Sequence, residues 1–73
     1  PGAHHFYITF KTGHPGVDIP DFLRQRYPSE MTIVLQYQYW DLEVADDHFG
    51  VTLSFNDEPH HLIVPFSAIK TTV

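Results

Sequence analysis

Residues 28–44 read PSEMTIVLQYQYWDLEV, and this stretch limits the fold more than any other. It sets Met31, Ile33, Val34, Leu35, Tyr37, Tyr39, Trp40, Leu42 and Val44 in one segment without a glycine. Aromatic and β-branched side chains of this kind pack well on a pleated, half-buried surface. Two glutamines, Gln36 and Gln38, sit among the rings, and their amides both donate and accept hydrogen bonds. Such a surface is suited to holding a peptide rather than to making or breaking bonds.

The rest of the chain repeats the pattern. Phe6, Ile8 and Phe10 alternate with Tyr7, Thr9 and Lys11, which predicts a first strand over residues 6–12. Residues 1–5 read as a loose lead-in. Gly13, Pro15 and Gly16 break the strand, and residues 17–19 form a short extended piece. Residues 20–27 read as a short helix, with Pro20 in its first turn, Asp21 at the positive end of its dipole and Pro28 stopping it. A second strand is predicted over residues 30–38. A third follows over 40–45, with Trp40, Leu42 and Val44 on one face and Asp41 and Glu43 on the other.

Asp46-Asp47 makes a tight turn into a fourth strand over 49–55. There Phe49, Val51, Leu53 and Phe55 point inward, and Gly50, Thr52 and Ser54 point outward. Residues 56–59 turn the chain into a fifth strand over 60–64. A single helical turn at 65–68 and an edge strand at 69–73 complete it. Short strands with tight turns at near-regular spacing predict a mainly β domain, a small open β-barrel with one short helix.

Size and charge narrow the function. A chain of 73 residues makes one domain. At about that length folding buries only about 60% of the unfolded surface, so the core is marginal. No cysteine is present, so no disulfide staples it, which suits a reducing compartment. No apolar run approaches the roughly 18 residues of a membrane span, and residues 1–6 lack the basic and apolar parts of a signal peptide. The first residue is Pro1 rather than Met, so the sequence reads as a fragment or a trimmed core. Only Lys11, Arg24, Arg26 and Lys70 are basic, against nine acidic residues, and the net charge is −5. Phosphate backbones are held by clustered Lys and Arg, so an Sm- or OB-like barrel stacking nucleic-acid bases on its aromatics is the weaker alternative.

Chemistry finds little to work with. Adjacent histidines on a strand point to opposite faces, so neither His4-His5 nor His60-His61 chelates a metal through both rings. There is no HExxH spacing and no GxSxG elbow. Asp46-Asp47 and Asp57-Glu58 fall in turns, where carboxylates are solvated. No catalytic residue, metal or cofactor is assigned.

A peptide site is easier to build. In a regular strand Gln36 and Gln38 share a face with Val34 and Trp40, so an apolar strip carries two amides. Beside it, the outer face of the fourth strand offers only Gly50, Thr52 and Ser54. Small residues flanked by large ones make a trough for an extended peptide. From the residues alone, a trough and a simple aromatic cap on a small core stand as equal readings.

Several blocks carry a resemblance: His5-Phe6-Tyr7-Ile8-Thr9-Phe10-Lys11-Thr12, Gly16-Val17-Asp18-Ile19-Pro20, Val51-Thr52-Leu53-Ser54-Phe55 and Val64-Pro65-Phe66-Ser67-Ala68. The most distinctive is Glu30-Met31-Thr32-Ile33-Val34-Leu35-Gln36-Tyr37-Gln38-Tyr39-Trp40-Asp41-Leu42. In this order they resemble the stringent starvation protein B (SspB) family, most closely its alphaproteobacterial branch. The resemblance implies a non-enzymatic, cytoplasmic adaptor. Such an adaptor binds the ssrA degradation tag of ribosome-rescued proteins and hands them to ClpX, the unfoldase of the ClpXP protease. It implies a homodimer, a domain spanning residues 1–73, and neither nucleic acid nor membrane as partner. The family's helix ahead of the first strand, and its tail with a ClpX-docking motif, are not in this sequence. The chain as it stands is therefore expected to bind tag but to tether poorly to the protease. Carried over, the peptide groove falls on Gln36, Gln38, Tyr39 and Trp40 as one wall, with Thr52 and Ser54 as the floor.

Overall fold

The strand-forming residues pair as two three-stranded antiparallel sheets in a computed structural model that describes residues 6–73. The lead-in at residues 1–5 and the His4-His5 pair lie outside the described residues. In chain order the elements are β1 (Tyr7–Lys11), α1 (Asp21–Arg26), β2 (Glu30–Val34), β3 (Trp40–Val44), β4 (His48–Phe55), β5 (Glu58–Pro65), a 3-10 turn at Phe66–Ala68, and β6 (Ile69–Thr72). The first sheet has the order β2-β1-β6 and the second β3-β4-β5. Loop 35–39 joins the sheets at one corner, and the 3-10 turn joins them at the other. Among the described residues no ladder crosses from sheet to sheet, so the expected barrel is open.

One core lies between the sheets. The first sheet supplies Phe10, Met31 and Ile33; the second supplies Phe49, Val51, Leu53, Leu62 and Val64. Alternation along β4 does what its sequence predicts, burying Phe49, Val51 and Leu53 on the core face. Asp18 forms an isolated bridge with Ile63, with backbone bonds of 2.9 and 3.0 Å. That pairing turns Val17 and Ile19, on either side of Asp18, into the core. Helix α1 adds Leu23, and Pro20 stands at its N-cap rather than inside its first turn.

Polar groups at the α1 end are matched. The Arg24 guanidinium donates to the carbonyls of Thr12 (2.8 Å) and Val17 (2.6 Å). Thr12, almost fully buried, donates its hydroxyl to the Tyr27 carbonyl at 2.7 Å. A partly buried acceptor that loses its donor costs its desolvation penalty. Thr12→Val is therefore expected to lower unfolding free energy by about 1–2 kcal/mol in urea melts. Thr12→Ser, which keeps the hydroxyl, is expected to recover most of that.

Three expectations need correction. β2 ends at Val34, not at Gln38. Tyr7 lies opposite Val34, and among the described residues the last bond runs from the Leu35 N–H to the Phe6 carbonyl. β3 does not alternate as predicted. Trp40 pairs with Thr52 and Glu43 with Gly50, so two residues of β3 oppose one of β4 in a bulge. Trp40 thereby shares the outward face with Glu43, while Leu42 and Val44 take the other. The turn after β4 is only Asn56-Asp57, with φ of 53° and 65°, as a two-residue hairpin requires. Pro59 lies inside β5 opposite Ser54, which an edge strand tolerates.

Candidate peptide-binding face

The candidate site lies at the corner where loop 35–39 leaves the first sheet and enters the second. Past Leu35 the chain closes a three-residue turn. The Gln38 N–H donates to the Gln36 carbonyl at 2.9 Å, and Tyr37 sits between them at φ 71°. This is a γ-turn with positive φ, the rarer and more strained form. Asp41, at the start of β3, also has a positive φ, of 54°. Neither residue is a glycine or an asparagine. Strain of this kind costs of order 1–3 kcal/mol per residue and collects at ligand-binding segments.

The strain sets out a row of side chains. Tyr37 is 91% exposed at the apex. Gln38 and Tyr39 are exposed, and Gln36 is half-buried. Neither glutamine amide has a hydrogen-bond partner among the described residues, and neither is sealed from water. Trp40 is 47% exposed and faces Thr52 across the β3–β4 ladder. Thr52 and Ser54 share the outward face of β4, with Thr52 half-buried and Ser54 exposed. The structure thus brings Trp40 and Thr52 together and sets Ser54 on the same floor. Gln36 belongs to the first sheet's corner, so the six predicted residues span the seam between the sheets.

Sequence reasoning missed the far side of this floor. His61 lies opposite Thr52 on β5, and its Nδ1 is 2.8 Å from the Thr52 hydroxyl. Its ring covers Gly50: a methyl group built there would lie 2.8 Å from His61 Nε2 and 3.4 Å from Glu43 Oε1. The trough is therefore filled at its Gly50 end and open toward Ser54. The His60-His61 dipeptide held the signal, since alternation sends the two rings to opposite faces. His60 goes the other way, with its ring against Phe22 (5.2 Å between centroids) and its Nε2 buried without a hydrogen bond. Among the described residues no three His, Asp or Glu side chains gather as a metal would require.

Charge is sparse around the loop: residues 35–40 carry none, and Asp41 and Glu43 are the first acids beyond it. One exposed pair lies past β3. His48 donates to the Asp47 carboxylate at 2.8 Å, which holds that carboxyl below its ordinary range. Any stability from it is present above the ordinary carboxylate pKa and is lost as pH falls through the lowered one; full exposure keeps it small.

Clefts open at two places on the surface, only one of them beside the loop. One of about 270 Å³ is lined by Phe6, Tyr7, Ile8, Leu35, Thr72 and Val73, and reaches the residue next to Gln36. A larger and more polar one, about 420 Å³, opens at the Lys11 end of β1, away from the loop. No helix among the described residues is long and apolar enough to cross a membrane.

No curated protein matches this chain. The family model described as stringent starvation protein B matches residues 1–73, the full sequence. With the match running from end to end over a two-sheet β domain, the chain belongs to the stringent starvation protein B family.

Proposed function

We propose that this domain binds the ssrA degradation tag of ribosome-rescued proteins as an extended peptide and presents them to the ClpXP protease. Membership of a non-catalytic adaptor family supports an adaptor role of this general kind. The observation that carries the finer reading is local. Two glutamine amides without hydrogen-bond partners among the described residues flank a left-handed tyrosine, next to a tryptophan left half-exposed on an edge strand. Free amides satisfy a peptide's backbone donors and acceptors, and the rings supply apolar contact. Gln36, Gln38, Tyr39 and Trp40 form the wall, and Thr52 and Ser54 the open floor. Residues 1–73 act as the tag-binding unit, two units pair as a homodimer, and a C-terminal tail reaches ClpX in the cytoplasm. Nucleic acid fits this surface poorly. Arg24 is committed to two carbonyls and Lys70 to Glu30, so among the described residues no basic track forms.

A fluorescent peptide ending in the host ssrA sequence is expected to bind at micromolar affinity or better. Unchanged anisotropy at tens of micromolar protein would sink the proposal. Gln38→Ala removes one or two neutral hydrogen bonds to the peptide, so affinity is expected to fall about three- to tenfold. Gln36→Ala should act in the same direction. Melting temperatures should stay close to wild type, because neither amide bonds to another of the described residues.

A further inference from the structure

We infer that His61 and Glu43 form a subsite that reads an amide group of the bound peptide, an inference that rests on the tag-binding reading above. Both residues are exposed, and both reach the same point above Gly50. The Thr52 hydroxyl lies 2.8 Å from His61 Nδ1 and fixes the ring. When that hydroxyl donates, the neutral ring carries its proton on Nε2. This tautomer puts an N–H on Nε2, the ring atom nearest the space above Gly50, and Glu43 Oε1 borders the same space. A donor on β5 and an acceptor on β3 thus stand on either side of β4.

An amide is the matching ligand chemistry. Its carbonyl accepts from His61 Nε2, and its N–H donates to the Glu43 carboxylate. The row continues through Trp40, which shares the outward face with Glu43 and pairs with Thr52. The subsite therefore adds an opposite side to the open floor at Thr52 and Ser54. Gly50 is what makes it possible: with no side chain there, the imidazole can reach over β4.

The test uses the intact 73-residue chain and the fluorescent ssrA peptide. His61→Ala and Glu43→Ala are each expected to weaken binding about three- to tenfold with melting temperature unchanged. Gly50→Ala displaces the His61 ring while Gly50 itself faces away from the core. It is expected to keep or raise the melting temperature and to weaken binding as much as His61→Ala, and the double variant should be no weaker. Two peptide sets locate the amide: one methylates single backbone N–H groups, the other replaces single side-chain amides with alanine. The peptide change that makes His61→Ala silent identifies the source. If no change does so, or if His61→Ala and Glu43→Ala bind like wild type while Trp40→Ala does not, the subsite is refuted and the tag-binding reading stands. If the wild-type chain binds no peptide, both fall together.

Discussion

Trp40→Ala is expected to cost the domain nearly all of its tag affinity and almost none of its stability. Buried tryptophans dominate peptide and protein interfaces, and their removal typically costs about 2–4 kcal/mol. That corresponds to a loss of about 30- to 1,000-fold in affinity. Trp40 has the position for it. It stands at the first residue of edge strand β3, opposite Thr52, and 47% of it is open to solvent. It belongs to no part of the buried core, which is built by β1, β2, β4, β5, α1, Val17, Ile19 and Ala68 of the 3-10 turn. Its removal therefore leaves no internal cavity, and the melting temperature should move by only a few degrees. Trp40→Phe keeps a flat ring and should recover part of the affinity. Anisotropy titrations and thermal melts on the same samples decide the matter. Unchanged binding would remove Trp40 from the site. A large drop in melting temperature would instead make it a structural residue.

The contrast between Trp40 and β4 shows what the sequence conveys. Phe49, Val51 and Leu53 alternate with Gly50, Thr52 and Ser54, and the fold follows that period faithfully. β4 is a central strand, paired along its length to β5 and at three registers to β3. Its neighbours hold it in a regular pleat, so letter pattern and geometry agree. The 3-10 turn and β6 fall close to their expected places for a similar reason, since Pro65 ends one strand and Ile69 opens the next.

At the site the same logic fails. Alternation continues by letter from Val34 through Gln36 and Gln38 to Trp40, but pairing with β1 ends at Tyr7. Past Leu35 the γ-turn at Tyr37 satisfies the Gln38 N–H locally. Nothing in the letter Tyr announces a positive φ, and nothing in Asp41 announces the bulge after Trp40. Both departures belong to how the chain pairs with its neighbouring strands, which is tertiary information. Leu42 and Val44 misled in another way. They face the core side of the second sheet, yet β3 is exposed at all five positions and Val44 is 72% exposed. Hydrophobic letters marked the strand correctly but not the depth to which it is covered. The residue types of the proposed wall can be read from the sequence; their loop geometry, and the place of His61 beside Thr52, cannot.

Phe10→Ala should have the largest effect on stability. Phe10 is 0% exposed and sits on β1, the middle strand of the first sheet, facing the side chains of the second. Its replacement removes a full aromatic ring and leaves a cavity that two packed sheets cannot close without sliding. Such truncations cost about 3–5 kcal/mol. A domain of this size is stable by about 4–11 kcal/mol in total. The variant is therefore expected to be largely unfolded at 37 °C, or to melt in urea with a greatly lowered midpoint and little native baseline. A cooperative transition within about 1 kcal/mol of wild type would mean that Phe10 is not the junction between the sheets. The same variant links core and site. A ligand that binds only the folded state stabilises it by about 2.7 kcal/mol at a hundred times its dissociation constant. Saturating ssrA peptide should therefore restore a folded circular-dichroism spectrum to Phe10→Ala. It should fail to do so in the double variant Phe10→Ala/Trp40→Ala, where the core defect is the same and the ring proposed to grip the peptide is gone.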